Sequence, residues 1–284
     1  MIGSIGRMFG GGEARRKRNE ARRDLRAGVT DRDRVEFGRA TGPHYVGVLH
    51  EIHATHVFDW YLEVGCRTGR SFAPICSPTV AVDPFFRLAE GVMGPKRELH
   101  LFQQTSDEFF ASAAPARLGA RFGFAFLDGM HLFEYLLRDL IGTERCLAPG
   151  GVIALHDCYP FGRAMTTREV SAAPAGAWTG DVWKLLPILT EHRPDLRVTV
   201  LDCAPTGLVM IEGGDPANRV LSDAYDAILA RWHDVTIEEY SIARFRDDFP
   251  LVAPASFTGR DPSPFAAARS ATEHLGGMPE WVSP

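Results

Sequence analysis

The sequence predicts an α/β domain: a mostly parallel central sheet, helices on both faces, and an extension at each end. Three observations predict it. Short apolar runs recur from residue 60 onward. Stretches with helical spacing separate several of them, and strands that alternate with helices need crossover connections between parallel neighbours. The last two runs lie close enough together to pair as an antiparallel hairpin.

The elements follow in order. WYLEVG (60–65) is a short apolar run that meets a glycine loop, and VAVD (80–83) is a second that ends in an acid. ELHLFQQ (98–104) is a weaker third, FGFAFLD (122–128) a fourth and GVIALHD (151–157) a fifth. RVTVLDC (197–203) and GLVMIEG (207–213) close the set around a Pro-Thr-Gly turn at 205–207. LFEYLLRDL (132–140) puts Leu132, Leu136 and Leu140 on one face, with Phe133 and Leu137 beside them, which is helical spacing. VWKLLPILTEH (182–192) repeats it, with Pro187 marking a kink or an early turn. Residues 215–233 read as a late helix.

The sheet core therefore spans 60–213, between an N-terminal arm and helical extension (1–59) and a C-terminal helix and tail (214–284). Residues 1–12 hold five glycines and read as flexible. Residues 13–27 are dense in arginine. They read as a solvated helix or frayed terminus, with a basic arm for a polyanion as the other reading. The tail from about 248 is rich in Pro, Ala and Ser, which suits a lid, an oligomer contact or a loose end. The N-terminal helix and the tail are the candidate elements of a homo-oligomer.

Composition narrows the function classes. The chain has 284 residues, 45% hydrophobic and 24% charged, so it can bury a full core. Its net charge of −5 argues against nucleic acid as the main partner. No apolar run is long enough to span a bilayer. The N-terminus places its charges after a short apolar start, the reverse of a secretory signal. The expectation is a cytoplasmic protein without a membrane partner. Five cysteines with no CxxC fit a reduced compartment, not a disulfide framework or structural zinc.

The loop Glu63-Val64-Gly65-Cys66-Arg67-Thr68-Gly69-Arg70-Ser71 follows the first strand and is expected to open a helix, whose N-terminus favours an anion. Asp83 ends the next strand, where a carboxylate can accept hydrogen bonds from ribose hydroxyls. A dinucleotide fingerprint starting at Gly65 would need glycine where Arg67 and Arg70 stand, so NAD is disfavoured. A ligand with an amino-acid carboxylate and an adenosine ribose, but no phosphate, suits the loop better. S-adenosylmethionine has that composition.

The segments LEVGCRTGRS (62–71), AVDPFF (81–86), FLDGMHLFEYLLRDL (126–140) and LAPGGVIALHDC (147–158) resemble class I S-adenosylmethionine-dependent methyltransferases. More narrowly, the chain resembles the family of small-molecule and sugar O-methyltransferases of secondary metabolism. TGDVWKLLPIL (179–189) and PTGLVMI (205–211) add to the likeness. The resemblance implies a Rossmann-like, seven-stranded sheet with its last strand antiparallel. It implies that Glu63, Gly65 and Gly69 lie against the methionine part of the cofactor and that Asp83 holds the ribose. Thr105-Ser106-Asp107 would lie near the adenine, with Ser106 as the preferred contact. Ser106 also reads as the N-cap of a helix starting at Asp107.

Asp128 and Asp157 end the fourth and fifth strands, neighbours in this fold, so their carboxylates can converge. His131 and His156 are close in sequence. In one reading Asp128, His156 and Asp157 hold a divalent metal, magnesium or a transition metal. Relatives with a metal resemble this layout but carry an acid where His156 stands, and imidazole suits transition metals better than magnesium. His156 and Asp157 would face opposite sides of a strand unless the strand has already ended. In the other reading no metal is used and His131 is the general base, near a helix N-terminus that favours neutral imidazole. Cys158 reads as a buried filler. Trp178, Trp183 and Tyr159 are candidates for an acceptor pocket or for plain packing.

The expected function is methyl transfer from S-adenosylmethionine to a small-molecule hydroxyl, with Asp128, His131 and Asp157 carrying the chemistry. An N- or C-methyltransferase, a nucleic-acid methyltransferase using the basic arm, and a non-catalytic S-adenosylmethionine-binding protein stay open.

Overall fold

The computed structural model describes residues 22, 24–175, 177–265 and 268–270. Most of the arginine-rich segment 13–27, and the tail beyond 270, lie outside the described residues. Among the described residues ten strands occur in chain order: β1 (His56–Val57), β2 (Tyr61–Val64), β3 (Thr79–Val82), β4 (Leu99–Phe102), β5 (Phe122–Leu127), β6 (Leu147–His156), β7 (Arg197–Leu201), β8 (Leu208–Glu212), β9 (Leu251–Val252) and β10 (Arg269–Ser270). Eight form one sheet in the order β4-β3-β2-β5-β6-β8-β7-β9, and β1 pairs with β10.

The first five strands of that sheet are parallel, and β8 runs antiparallel to both its neighbours. All seven expected strands are present, and the last of them, β8, is the antiparallel one. The eighth, β9, comes from the tail and pairs parallel with β7. The tail as far as residue 265 therefore packs on the domain, with Phe257 and Phe265 buried in its core.

Burial explains the continuous apolar runs. Every residue of β2, β3 and β5 is buried, as expected for parallel strands covered on both faces. Leu62, Val64, Val80 and Val82 face a core that includes Phe133, Leu136, Leu137 and Leu140 of the Phe133–Arg145 helix. Tyr61, Ala81, Phe124 and Phe126 face the other core, with Val48, Leu49 and Ile52 of the Tyr45–Thr55 helix. Pro187 sits in the first turn of the Leu185–His192 helix, where its missing N–H costs nothing. The helix expected over 215–233 is two pieces, Val220–Asp223 and Tyr225–Trp232.

The helix expected after the glycine loop is absent; residues 67–74 form turns. Ala73 N–H reaches the Gly69 carbonyl (2.9 Å), a single helical turn. Pro74 follows and has no N–H with which to continue it. The helix-dipole argument for an anion at this loop falls with it. Among the described residues, no helix is long and apolar enough to cross a membrane.

A buried ion pair ties the C-terminus of the Leu185–His192 helix to the Phe133–Arg145 helix. Arg193, with a fully buried side chain, donates to Glu144 (2.8 Å) and to Asp195 (2.8 Å). Arg193→Met strands the Glu144 carboxylate in the core. The expected loss is about 3–5 kcal/mol of stability, read by urea denaturation; a loss under about 1 kcal/mol contradicts this account.

Candidate active site

Strand order reverses between β2 and β5, the switch point where open α/β sheets bind ligands beyond the carboxyl ends of their strands. A cleft of about 1100 Å³ opens there, large enough for a nucleoside-sized ligand and a second molecule.

Gly65 and Asp128 follow directly on β2 and β5. Gly65 has φ +85°, and a Cβ on it would stand 2.0 Å from the Asp128 carbonyl oxygen, so only glycine lets the two strand ends meet. Asp83 accepts from Arg67 N–H and Phe85 N–H, both at 2.7 Å. A carboxylate has about four acceptor positions, so Asp83 keeps capacity for hydroxyls from the cleft.

Glu63 and Gly69 do not line the cleft. Glu63 is 1% exposed and accepts from Tyr61 (2.6 Å) and Ser71. Burial pushes its carboxyl up to about 7, against those two hydrogen bonds. Gly69 serves the turn: its φ is +72°, and a Cβ there would meet Phe72 at 2.7 Å. Ser106 lines the cleft. The N-cap is Thr105, not Ser106. Thr105 and Glu108 form a reciprocal capping box, and Ser106 is the first helical residue. The pattern Thr-x-x-Glu was already present in the sequence.

At the far end of the cleft Asp128, His131, His156 and Asp157 converge. β6 ends at His156, and Asp157 takes φ +60°. The strand has thus ended in time for consecutive residues to face one centre. His156 Nδ1 lies 3.2 Å from Asp128 Oδ1 and 3.4 Å from Asp157 Oδ1. Thr206 donates its hydroxyl proton to Asp157 (2.6 Å), so the same oxygen faces His156 Nε2 as an acceptor at 3.3 Å. Both ring nitrogens therefore carry protons. Burial opposes that charge, but Asp157 and Asp128 outweigh it and hold His156 up at about 10. Tyr45 stacks on the ring at 3.7 Å.

His131 Nδ1 lies 2.7 Å from the Trp178 carbonyl. A carbonyl only accepts, so Nδ1 carries the proton and Nε2 turns to the carboxylates, 3.4 Å from Asp128 and 3.4 Å from Asp157. Burial lowers the proton affinity of this ring. The hydrogen bond it donates to Asp128 and the charges of both acids more than offset that, raising its pKa to about 9. Asp128 is shifted down: burial raises its pKa, and the His156 charge with the two histidine hydrogen bonds outweighs burial. The helix dipole expected to keep His131 neutral is thus outweighed by two full charges at closer range.

Asp128, His131 and Asp157 each offer a ligand atom, all within 4.8 Å of one another. Adjacent ligands of a small divalent cation lie about 3 Å apart. A carbonyl-anchored imidazole is also how metal-bound histidines are oriented. The donor set fits such a cation. His156, the third ligand named from sequence, has both nitrogens engaged by Asp128, Asp157 and Thr206. Trp178 lines the cleft; Trp183 and Tyr159 are core residues. Sequence reasoning missed Tyr45 and Thr206. Tyr45 carries no motif, and Thr206 was legible only as part of a turn.

Residues 62–158 match the family described as "Methyltransferase domain". No curated protein matches the chain. Among solved structures it is similar to the N-methyltransferase NodS from Bradyrhizobium japonicum WM9, at 16% identity over 60% of this chain and 92% of that one (TM-score 0.37). The O-methyltransferase TomG from Streptomyces achromogenes matches at 16% identity over 59% and 78% (TM-score 0.43). MycE of the mycinamycin pathway, solved with Mg, SAH and mycinamycin VI, matches at 15% over 61% and 48% (TM-score 0.39). The stretch that matches a methyltransferase domain, residues 62–158, runs from the strand before the glycine loop to the end of the two-carboxylate cluster.

Proposed function

We propose that this protein transfers the methyl group of S-adenosylmethionine to a hydroxyl oxygen of a small molecule, a natural product or sugar. One observation carries the reading. The Trp178 carbonyl fixes the Nδ1–H of His131, so Nε2 points at the cleft floor between two carboxylates.

The donor seats its ribose on Asp83 and its amino-acid end at the Gly65 turn. The acceptor enters beside Trp178, with its hydroxyl at His131. With its pKa raised to about 9 the ring is mostly imidazolium at neutral pH; its neutral fraction, with Nε2 unprotonated, takes the hydroxyl proton, so kcat is expected to rise as pH approaches 9. The oxygen forms a bond to the methyl carbon while the carbon–sulfur bond breaks, its electron pair going to sulfur. Asp128 and Asp157 hold the imidazolium so formed. Alignment of oxygen, carbon and sulfur supplies much of the acceleration. A divalent cation would be held by Asp128 and Asp157, with His131 in reach; it would lower the hydroxyl pKa and release protons from the imidazoles.

Calorimetric titration of S-adenosylhomocysteine tests the reading. Saturable one-site binding is expected, followed by methyl transfer to at least one member of a hydroxyl-bearing panel. Folded, ligand-free protein that does not bind would overturn it. Manganese titrated into the same sample is expected to bind at one site and to be lost on Asp128→Asn.

A further inference from the structure

Residues 178–181, Trp-Thr-Gly-Asp, lie across His131 and touch it at three points. The Trp178 carbonyl accepts from Nδ1–H (2.7 Å), and Asp181 N–H donates to the His131 carbonyl (3.2 Å). Between them Gly180, at φ +53°, passes so close that a Cβ would stand 1.6 Å from that carbonyl oxygen. Asp181 then acts two residues further on. Its Oδ1 accepts from Phe133 N–H (2.9 Å), capping a helix whose own N-cap, Leu132, makes no side-chain bond. His131 and the start of the helix that follows it are thus fixed from one strap.

The strap is itself braced. Asp181, 2% exposed, also receives Lys184 (2.8 Å) and Arg168. Arg168 grips Glu134, in the first turn of the helix after His131, through both carboxylate oxygens (3.0 and 2.6 Å). Thr179 N–H and Oγ1 both bond the Met165 carbonyl (3.0 and 3.1 Å), and the Trp178 indole bonds the Thr167 carbonyl (2.7 Å). A buried, multiply bonded acid held by two cations, serving one backbone turn, is more than a surface loop needs.

We infer that the strap 178–181 positions His131, with Gly180 and Asp181 as positioning residues that hold the ring in the tautomer and place needed to take the acceptor's proton. The inference rests on the reading of His131 as the proton acceptor. A ring misplaced by about 1 Å can cost roughly 10²-fold in rate.

Three variants test it: Gly180→Ala, Arg168→Gln and His131→Ala. Gly180→Ala is expected to lower kcat by about 30- to 100-fold, with S-adenosylhomocysteine affinity within about twofold of wild type. Arg168→Gln removes only a partly exposed brace. It keeps the protein folded even if Gly180→Ala does not, and is expected to lower kcat by about 3- to 10-fold with the same unchanged affinity. Proton NMR supplies the signature. Wild type should show a slowly exchanging imidazole N–H resonance, assigned by its absence in His131→Ala, and Gly180→Ala should lose or shift it. His131→Ala inactive, with both other variants at wild-type kcat and resonance, overturns the strap alone. His131→Ala fully active overturns the proton-acceptor reading beneath it.

Discussion

His131→Ala should lower kcat by about 10²- to 10⁴-fold, the usual worth of a positioned general base, and leave S-adenosylhomocysteine affinity within about twofold. The two halves of this expectation come from different parts of the cleft. The imidazole stands between Asp128 and Asp157 at 3.4 Å from each, whereas the ribose is assigned to Asp83, which follows β3. The side chain is 22% exposed, so its removal opens onto the cleft and does not hollow the core. It does leave two carboxylates facing each other with His156 alone to balance them. Structure around the cluster should therefore be checked by circular dichroism beside the kinetics. A variant with normal fold and kcat within about fivefold of wild type would remove His131 from the chemistry.

Asp83→Ala should weaken S-adenosylhomocysteine binding by about 10²- to 10⁴-fold. The carboxylate has two duties. It accepts from Arg67 and Phe85 N–H groups at 2.7 Å, which shapes the loop beyond β2. It also keeps free acceptor positions for ribose hydroxyls. Hydrogen bonds to a charged group contribute about 1.5–3 kcal/mol each, and about 1.4 kcal/mol is tenfold in affinity. Two lost contacts give the stated range. Asp83→Asn retains one acceptor oxygen and should fall between Ala and wild type. Calorimetry reads all three. Equal affinity in Asp83→Ala and wild type would mean that the cofactor lies elsewhere.

The sheet was legible because it is covered on both faces. A run as short and continuous as FGFAFL fits a strand buried on both faces, and all six of those residues are buried. The acids at the ends of β5 and β6 were legible for the same reason: the end of a run is visible in the sequence. What failed depended on hydrogen bonds between distant segments. The helix expected after Gly65 is stopped by Pro74, a signal present in the sequence but overruled there by the glycine pattern. The charge state of His131 was misread because helix position is local information, whereas the charge of Asp157 arrives from 26 residues away. Asp181 as a helix cap 48 residues from Phe133 was out of reach of any local pattern. Tyr45 over His156 was equally so, since nothing in its neighbourhood departs from an ordinary amphipathic start.

The left-handed backbone of Asp157 restricts how this centre can change. At φ +60° most side chains crowd the preceding carbonyl, and Asn, Asp and Gly are the residues that settle there readily. Of these, only Asp brings a negative charge and only Asn matches its shape. Mutational drift at position 157 therefore has few exits. An exchange of one oxygen for an amide nitrogen silences the carboxylate with the main chain undisturbed, and nearly every other replacement bends the main chain as well. Asp157→Asn is thus the cleanest charge deletion at the centre, and libraries randomised at this codon should return a very short list of folded members.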